Sequence, residues 1–170
     1  MPGNNEQCNW RATYAPLHWR QDCLAIHVLS RSPVLRFLID HPYGAAVRLV
    51  RRALLEAGLR TPIELDVAES VREELHASLA PSLVLLVDDP VLLLEAVMFY
   101  PGAALFVPQS IVLTARGYRT AVEIRSRESL LDGGLPHSVR TPVLCLHGRV
   151  MRVLEKVAVR EDAPMGLCAH

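Results

Sequence analysis

The sequence predicts an α+β fold, a sheet layered with helices rather than a doubly wound parallel sheet. Three observations carry this reading. Leu83 to Val87 is an unbroken apolar run that stops at Asp88-Asp89-Pro90. Ser110 to Arg116 and Tyr118 to Arg125 alternate and turn around Gly117, which reads as a hairpin with one wet face. Elsewhere, apolar residues recur at three- and four-residue steps, as in helices that bury one side.

The elements follow in order. Met1 to about His27 has no clear period, but it holds Trp10, Trp19, Cys8, Cys23, His18 and His27. Its aromatics suggest packing, either on the domain body or on a second subunit. Val34 to Ile39 reads as a strand leading into His41-Pro42-Tyr43-Gly44. A helix then runs to Ala57, with Ala46, Leu49, Val50, Ala53, Leu54 and Ala57 as its stripe. Arg48, Arg51, Arg52 and Glu56 take its solvated side, and Gly58 ends it as a left-handed cap. Ile63 to Leu65 is a short strand.

Asp66 has the position of an N-cap, with Glu69 three residues on. The helix it starts is expected to reach about Leu79, with Ala68, Val71, Leu75 and Leu79 inward. Leu83 to Val87 is expected to be buried on both faces. Asp89 caps the next helix and Pro90 fills its first turn, where a missing N–H costs nothing. That helix reaches about Phe99 and is apolar nearly all round, so it is expected to be buried. Ala104 to Val107 reads as a strand before the hairpin. Gly133-Gly134 marks a loop, and Pro142 is placed near the start of a last helix reaching about Val159. Its row is Val143, Leu146, Val150, Val153 and Val157, widened by Leu144, Met151 and Leu154. Residues 1–27 are thus an extension, 28–159 one α+β domain and 160–170 a tail.

Bulk composition limits function more than it suggests one. The chain has 170 residues, 51% of them hydrophobic, enough for one domain with a packed core. Net charge is zero, so no global field draws in nucleic acid or acidic membranes. The local cluster of Arg48, Arg51, Arg52 and Arg60 reads most simply as a solvated face. Seventeen of the 18 basic residues are Arg, leaving Lys156 as the single lysine. No apolar run approaches the ~20 residues of a membrane span. The polar start, Met1 to Gln7, is not followed by a signal-type apolar region. The expectation is a soluble cytoplasmic protein with reduced cysteines.

Candidate chemistry sits at element ends. Asp88 and Asp89 close the buried strand, where adjacent acids can bind a cation or act as acid and base. The simpler reading makes Asp89 a helix cap and leaves Asp88 solvated. Glu64 and Asp66 lie at strand spacing and project from one face. His41, before Pro42, is the best lone general-base candidate. Together His41, Glu64, Asp66, Asp88 and Asp89 define a candidate acidic pocket for a small ligand.

Cys145-Leu146-His147 and Cys168-Ala169-His170 repeat a Cys-x-His spacing. On a helix that spacing separates the side chains by about 200°, so Cys145 and His147 are not expected to share a metal. Cys8, Cys23, His18 and Cys168 converge only if both extensions meet. No zinc-module spacing, nucleophile elbow, Walker loop or dinucleotide fingerprint is present. No metal or cofactor is therefore expected.

Several short motifs resemble the domain of unknown function 302 family. They are the helix end Leu54-Leu55-Glu56-Ala57-Gly58, then Ile63-Glu64-Leu65-Asp66-Val67, then the apolar strand running into a dipeptide before Pro90. They continue with Pro101-Gly102-Ala103-Ala104-Leu105-Phe106-Val107-Pro108, the hairpin and the last helix. The likeness spans roughly Val34 to Val157. It implies a compact two-layer sandwich, a mostly antiparallel sheet with helices packed on one face, forming a homodimer and found in bacteria and archaea. It implies no settled activity, though some relatives occur beside or fused to sulfur-handling domains. The family pattern usually has Asn-Pro where this chain has Asp89-Pro90, and often Cys or Leu where it has Gln109.

The leading functional expectation is a non-enzymatic, dimeric binding or accessory module, with Trp10, Trp19 and the N-terminal extension contributing to the interface. The alternative is a small-ligand enzyme or sensor using the acidic pocket. A third reading is a thiol or metal protein using Cys8, Cys23, Cys145 and Cys168 in a sulfur or redox context. No nucleic-acid or membrane partner is expected.

Overall fold

The strands form where apolar residues alternate, and their register puts those residues on one face. The computed structural model describes residues 32–161. Six strands form one sheet: β1 (Val34–Ile39), β2 (Arg60–Asp66), β3 (Ser82–Asp88), β4 (Gln109–Arg116), β5 (Arg119–Arg125) and β6 (Val159–Glu161). Their order is β2-β3-β4-β5-β1-β6, and every pairing is antiparallel. Leu83 pairs with Leu113, Leu113 with Val122 and Val122 with Phe37, so one apolar row crosses four strands. A one-residue slip would turn that row to the opposite face.

Five α-helices accompany the sheet among the described residues: α1 (Tyr43–Glu56), α2 (Val67–Leu75), α3 (Pro90–Phe99), α4 (Arg127–Asp132) and α5 (His137–Val157). The buried sheet residues Phe37, Ile39, Leu85, Val87, Ile111, Leu113, Val122 and Ile124 form one core with the helices. Helix α1 contributes Ala46, Val47, Val50 and Leu54. Helix α5 contributes Val139, Val143, Leu146, Val150, Val153 and Leu154. Each fully buried aliphatic side chain of this kind contributes about 1.5–3 kcal/mol. The expected α+β sandwich, with an antiparallel sheet and helices on one face, is therefore what the chain forms.

Local chemistry sets the helix ends. Gly58, at φ +71°, closes α1. Its N–H donates to the Leu55 carbonyl, and the Leu59 N–H donates to the Leu54 carbonyl, both at 2.9 Å. This paired arrangement needs a left-handed residue, which glycine adopts without a Cβ penalty. Asp66 caps α2 by accepting the Glu69 N–H at 2.9 Å. Ser126 caps α4 by accepting the Ser129 N–H at 3.1 Å.

Five expectations are corrected. Ala104 to Val107 is not a strand. Pro101–Leu105 forms a 3-10 turn, because Pro101 suits a first helical turn and Ala103 and Phe106 then bond back at 2.8 and 2.9 Å. Helix α2 stops at Leu75, where His76 turns left-handed at φ 53°, so Leu75 and Leu79 are exposed rather than inward. Strand β3 is buried fully on one face only: Leu83, Leu85 and Val87 are covered, while Val84 and Leu86 are half-buried on the sheet's open side. Helix α5 starts at His137, so Pro142 lies inside it, buried against the core. The fifth concerns α3, whose apolar circumference is buried on one side alone, with Ala96 its single buried residue. Residues 1–27, with Trp10, Trp19, Cys8 and Cys23, and most of the tail, with Cys168 and His170, lie outside the described residues.

One buried polar group stands out in the core. His147 on α5 is buried, and its Nδ1 has no hydrogen-bond partner among the described residues. Burial pushes its pKa down, with Arg127 and Arg125 adding to the effect and Glu128 opposing it. Its folded pKa lies below its unfolded value of ~6.5. The unfolded chain therefore takes up the proton first as pH falls. This histidine's contribution is intact above pH ~7 and shrinks as pH drops through ~6.5 toward the folded pKa. Urea unfolding between pH 8 and pH 5.5 is expected to show that loss, and His147→Leu to flatten it.

Candidate functional site

Two buried carboxylates mark the junction of β3 and α3. Asp88 and Asp89 are 4% and 5% exposed, so each needs a counter-charge. Strand β2 supplies the first. Register places Arg60 opposite Asp88, and Arg60 Nε and Nη2 donate to Asp88 Oδ1 and Oδ2 at 3.1 Å each. Helix α5 supplies the second: Arg149 pairs with Asp89 Oδ2. The other oxygen of Asp89 accepts the Val91 and Leu92 N–H groups at 2.8 and 3.3 Å, capping α3. Arg149 Nη2 also donates to the Ala57 carbonyl at 2.8 Å, at the C-terminal end of α1.

The arrangement is a clamp. Asp89 places an anion at the positive end of α3, and Arg149 places a cation at the negative end of α1. Asp89 caps its helix as the sequence suggests, but Asp88 is buried and paired rather than solvated. Arg60 is readable from sequence only as part of a basic cluster, and Arg149 carries no sequence signal as its partner. Both partners depend on strand register and helix packing.

The other candidates lie elsewhere. Glu64 faces α1, where Arg51 Nε donates to it at 3.0 Å. Asp66 is the α2 cap and stands opposite Leu83, while Asp88 stands opposite Arg60. Five residues of β3 separate the two positions, roughly 16 Å. His41 follows β1, four strands across the sheet from β2, or about 19 Å. It is exposed, and its carbonyl accepts the buried Thr120 hydroxyl at 3.0 Å. The fold brings Asp88 and Asp89 together, and it leaves His41, Glu64 and Asp66 apart from them. Tyr43, at the start of α1, has a pKa raised by partial burial and by Asp66, partly offset by Arg51.

Cys145 is exposed and reduced, while His147 points into the core. Among the described residues, no three His, Cys, Asp or Glu side chains group to hold a metal. Cys8, Cys23, His18 and Cys168 fall outside those residues.

Beyond the clamp, α3 turns its outer half to solvent. Val91, Leu94, Glu95, Met98 and Phe99 share an arc of about 140°. Val91, Leu94, Met98, Phe99 and the neighbouring Leu105 are 62–81% exposed. Ala96, Leu92, Leu93 and Val97 face inward. A helix apolar all round is ordinarily covered all round, and an exposed apolar patch of this kind marks an interaction surface. The tight turn after it is fixed by Gly102, where a Cβ would stand 2.6 Å from the Tyr100 ring.

Breaking the clamp should be costly. Arg149→Met strands a buried carboxylate and is expected to lower stability by about 3 kcal/mol in urea unfolding. Arg60→Met is expected to cost less, because Arg60 is 55% exposed and its charge is screened. Adding Asp89→Asn to Arg149→Met should recover part of the loss, since the amide keeps an oxygen for the cap.

A family model for the domain of unknown function DUF302 matches residues 36–159. The chain is similar to a solved structure, the uncharacterized conserved protein DUF302 from Bacillus stearothermophilus, with a TM-score of 0.65. The two share 13% identity over 74% of this chain and 98% of that one, a likeness that shows the fold. No curated protein matches the chain in sequence. With most of its length inside the family model and its fold shared with a solved relative, the chain belongs to the DUF302 family.

Proposed function

We propose that the chain is a homodimeric binding module whose two copies meet across the outer face of α3. The observation that carries this reading is the exposed apolar arc of α3 with Leu105 beside it. With ordinary side-chain areas, Val91, Leu94, Met98, Phe99, Tyr100 and Leu105 expose on the order of 700 Å². A standard interface buries ~800 Å² per partner. The apolar positions of the stripe, which flank Glu95, are also self-complementary. About a two-fold axis near Leu94, Val91 of one copy meets Met98 of the other, the isologous pattern of a symmetric dimer. The sheet's open side, with Ile63 and Leu65 exposed, is less uniform, because Arg36 and Glu123 form an ion pair at 2.6 Å across its middle. A non-enzymatic role fits two carboxylates already engaged by arginine and backbone N–H groups, which leaves them poorly placed as acid or base.

Size-exclusion chromatography with light scattering tests the proposal. The wild type is expected to run as a dimer at micromolar concentration, and a Leu94→Ser/Met98→Ser variant as a folded monomer. A monomeric wild type would sink it, as would a variant that stays dimeric.

A further inference from the structure

A groove of about 550 Å³ runs between the start of α3 and the middle of α5. That is within the ~300–1,000 Å³ range of small-ligand sites. We propose that it binds a small organic anion carrying an apolar group, such as an aryl or alkyl carboxylate or sulfonate.

Charge in the groove points to an anion. Asp89, Arg149 and Arg152 all line it. Asp89 and Arg149 neutralise each other; the other Asp89 oxygen accepts the α3 N–H groups, and Arg149 Nη2 donates to the Ala57 carbonyl. Arg152, one turn along α5 from Gly148, makes no hydrogen bond or ion pair among the described residues, and it is exposed. One guanidinium is thus left over, with a fork that suits a carboxylate or sulfonate. The resident Asp89 already occupies the anion position at the α3 N-terminus, so the ligand's charge falls to Arg152.

Shape and polarity point to an apolar body. Val91, Leu92 and Leu144 form the walls. Gly148 forms an open floor: a Cβ there would meet no heavy atom within 4 Å. A larger residue at this position would reach into the groove without a clash. Cys145, exposed on the same wall, lies where a bound ligand would shield its thiol. Leu94 and Met98 do not line the groove, while Val91 is shared between its wall and the outer arc of α3.

The probe is 8-anilinonaphthalene-1-sulfonate, an aromatic sulfonate, titrated into the full chain and followed by fluorescence. Saturable binding at one site per chain is expected. Arg152→Gln should weaken it at least tenfold, and Gly148→Leu should abolish it while the chain stays folded by circular dichroism. Bound probe should also slow alkylation of Cys145 by iodoacetamide, read by mass spectrometry of its peptide. The Leu94→Ser/Met98→Ser variant should keep the site whether or not it dimerises. Unchanged binding in both groove variants, or an unprotected Cys145, would overturn the proposal. Loss of binding in the Leu94→Ser/Met98→Ser variant alone would also overturn it, placing the probe on the outer face of α3.

Discussion

The rest of the fold depends on how two adjacent carboxylates are buried at the end of β3. Left unpaired, each would cost several kcal/mol of desolvation. Arg60 meets Asp88 from the neighbouring strand, and Arg149 meets Asp89 from a helix across the core. Arg149 also holds the last turn of α1 through Ala57. One guanidinium therefore joins the end of α1, the start of α3 and the middle of α5. The carboxylate of Asp89 is tolerable because that cation is there. Before the proline, this chain has an acid and an arginine that answers it.

The same junction shapes the surfaces around it. The cap on Asp89 launches α3 along the helix layer, with Leu92, Leu93, Ala96 and Val97 turned into the core. The opposite arc must then face outward, although it too is apolar. The clamp uses up the charge of Arg149 and leaves Arg152 beside the groove with no ion pair among the described residues. An apolar outer face and a cation-edged groove are thus two consequences of one anchored helix start. Neither resembles the acidic pocket that the spacing of acids in the chain suggests.

Much of this was legible in the residues. Alternation gave β4 and β5, the i, i+3, i+4 stripes gave α1 and α5, and Asp66, Asp89 and Gly58 marked their helix ends. These signals are local: they depend on side-chain period and on backbone N–H groups within a turn. The misreadings were of another kind. The continuous apolar character of α3 reads as burial, yet burial depends on how many neighbours the layer provides. Leu75 and Leu79 fit an inward stripe, but the helix that would carry them ends at His76. Ala104 to Val107 has strand composition, and the hydrogen bonds after Pro101 close a turn instead.

By itself, then, the sequence determined most element types, most caps, the α+β class and the family, because each follows from local periodicity or short motifs. Only the tertiary structure decided which charges meet. Strand register set Arg60 against Asp88, and helix packing brought Arg149 to Asp89. It also decided which side of α3 faces outward and which side chains line the groove beside it. Those outcomes rest on contacts between residues far apart in the chain, and no local pattern encodes them.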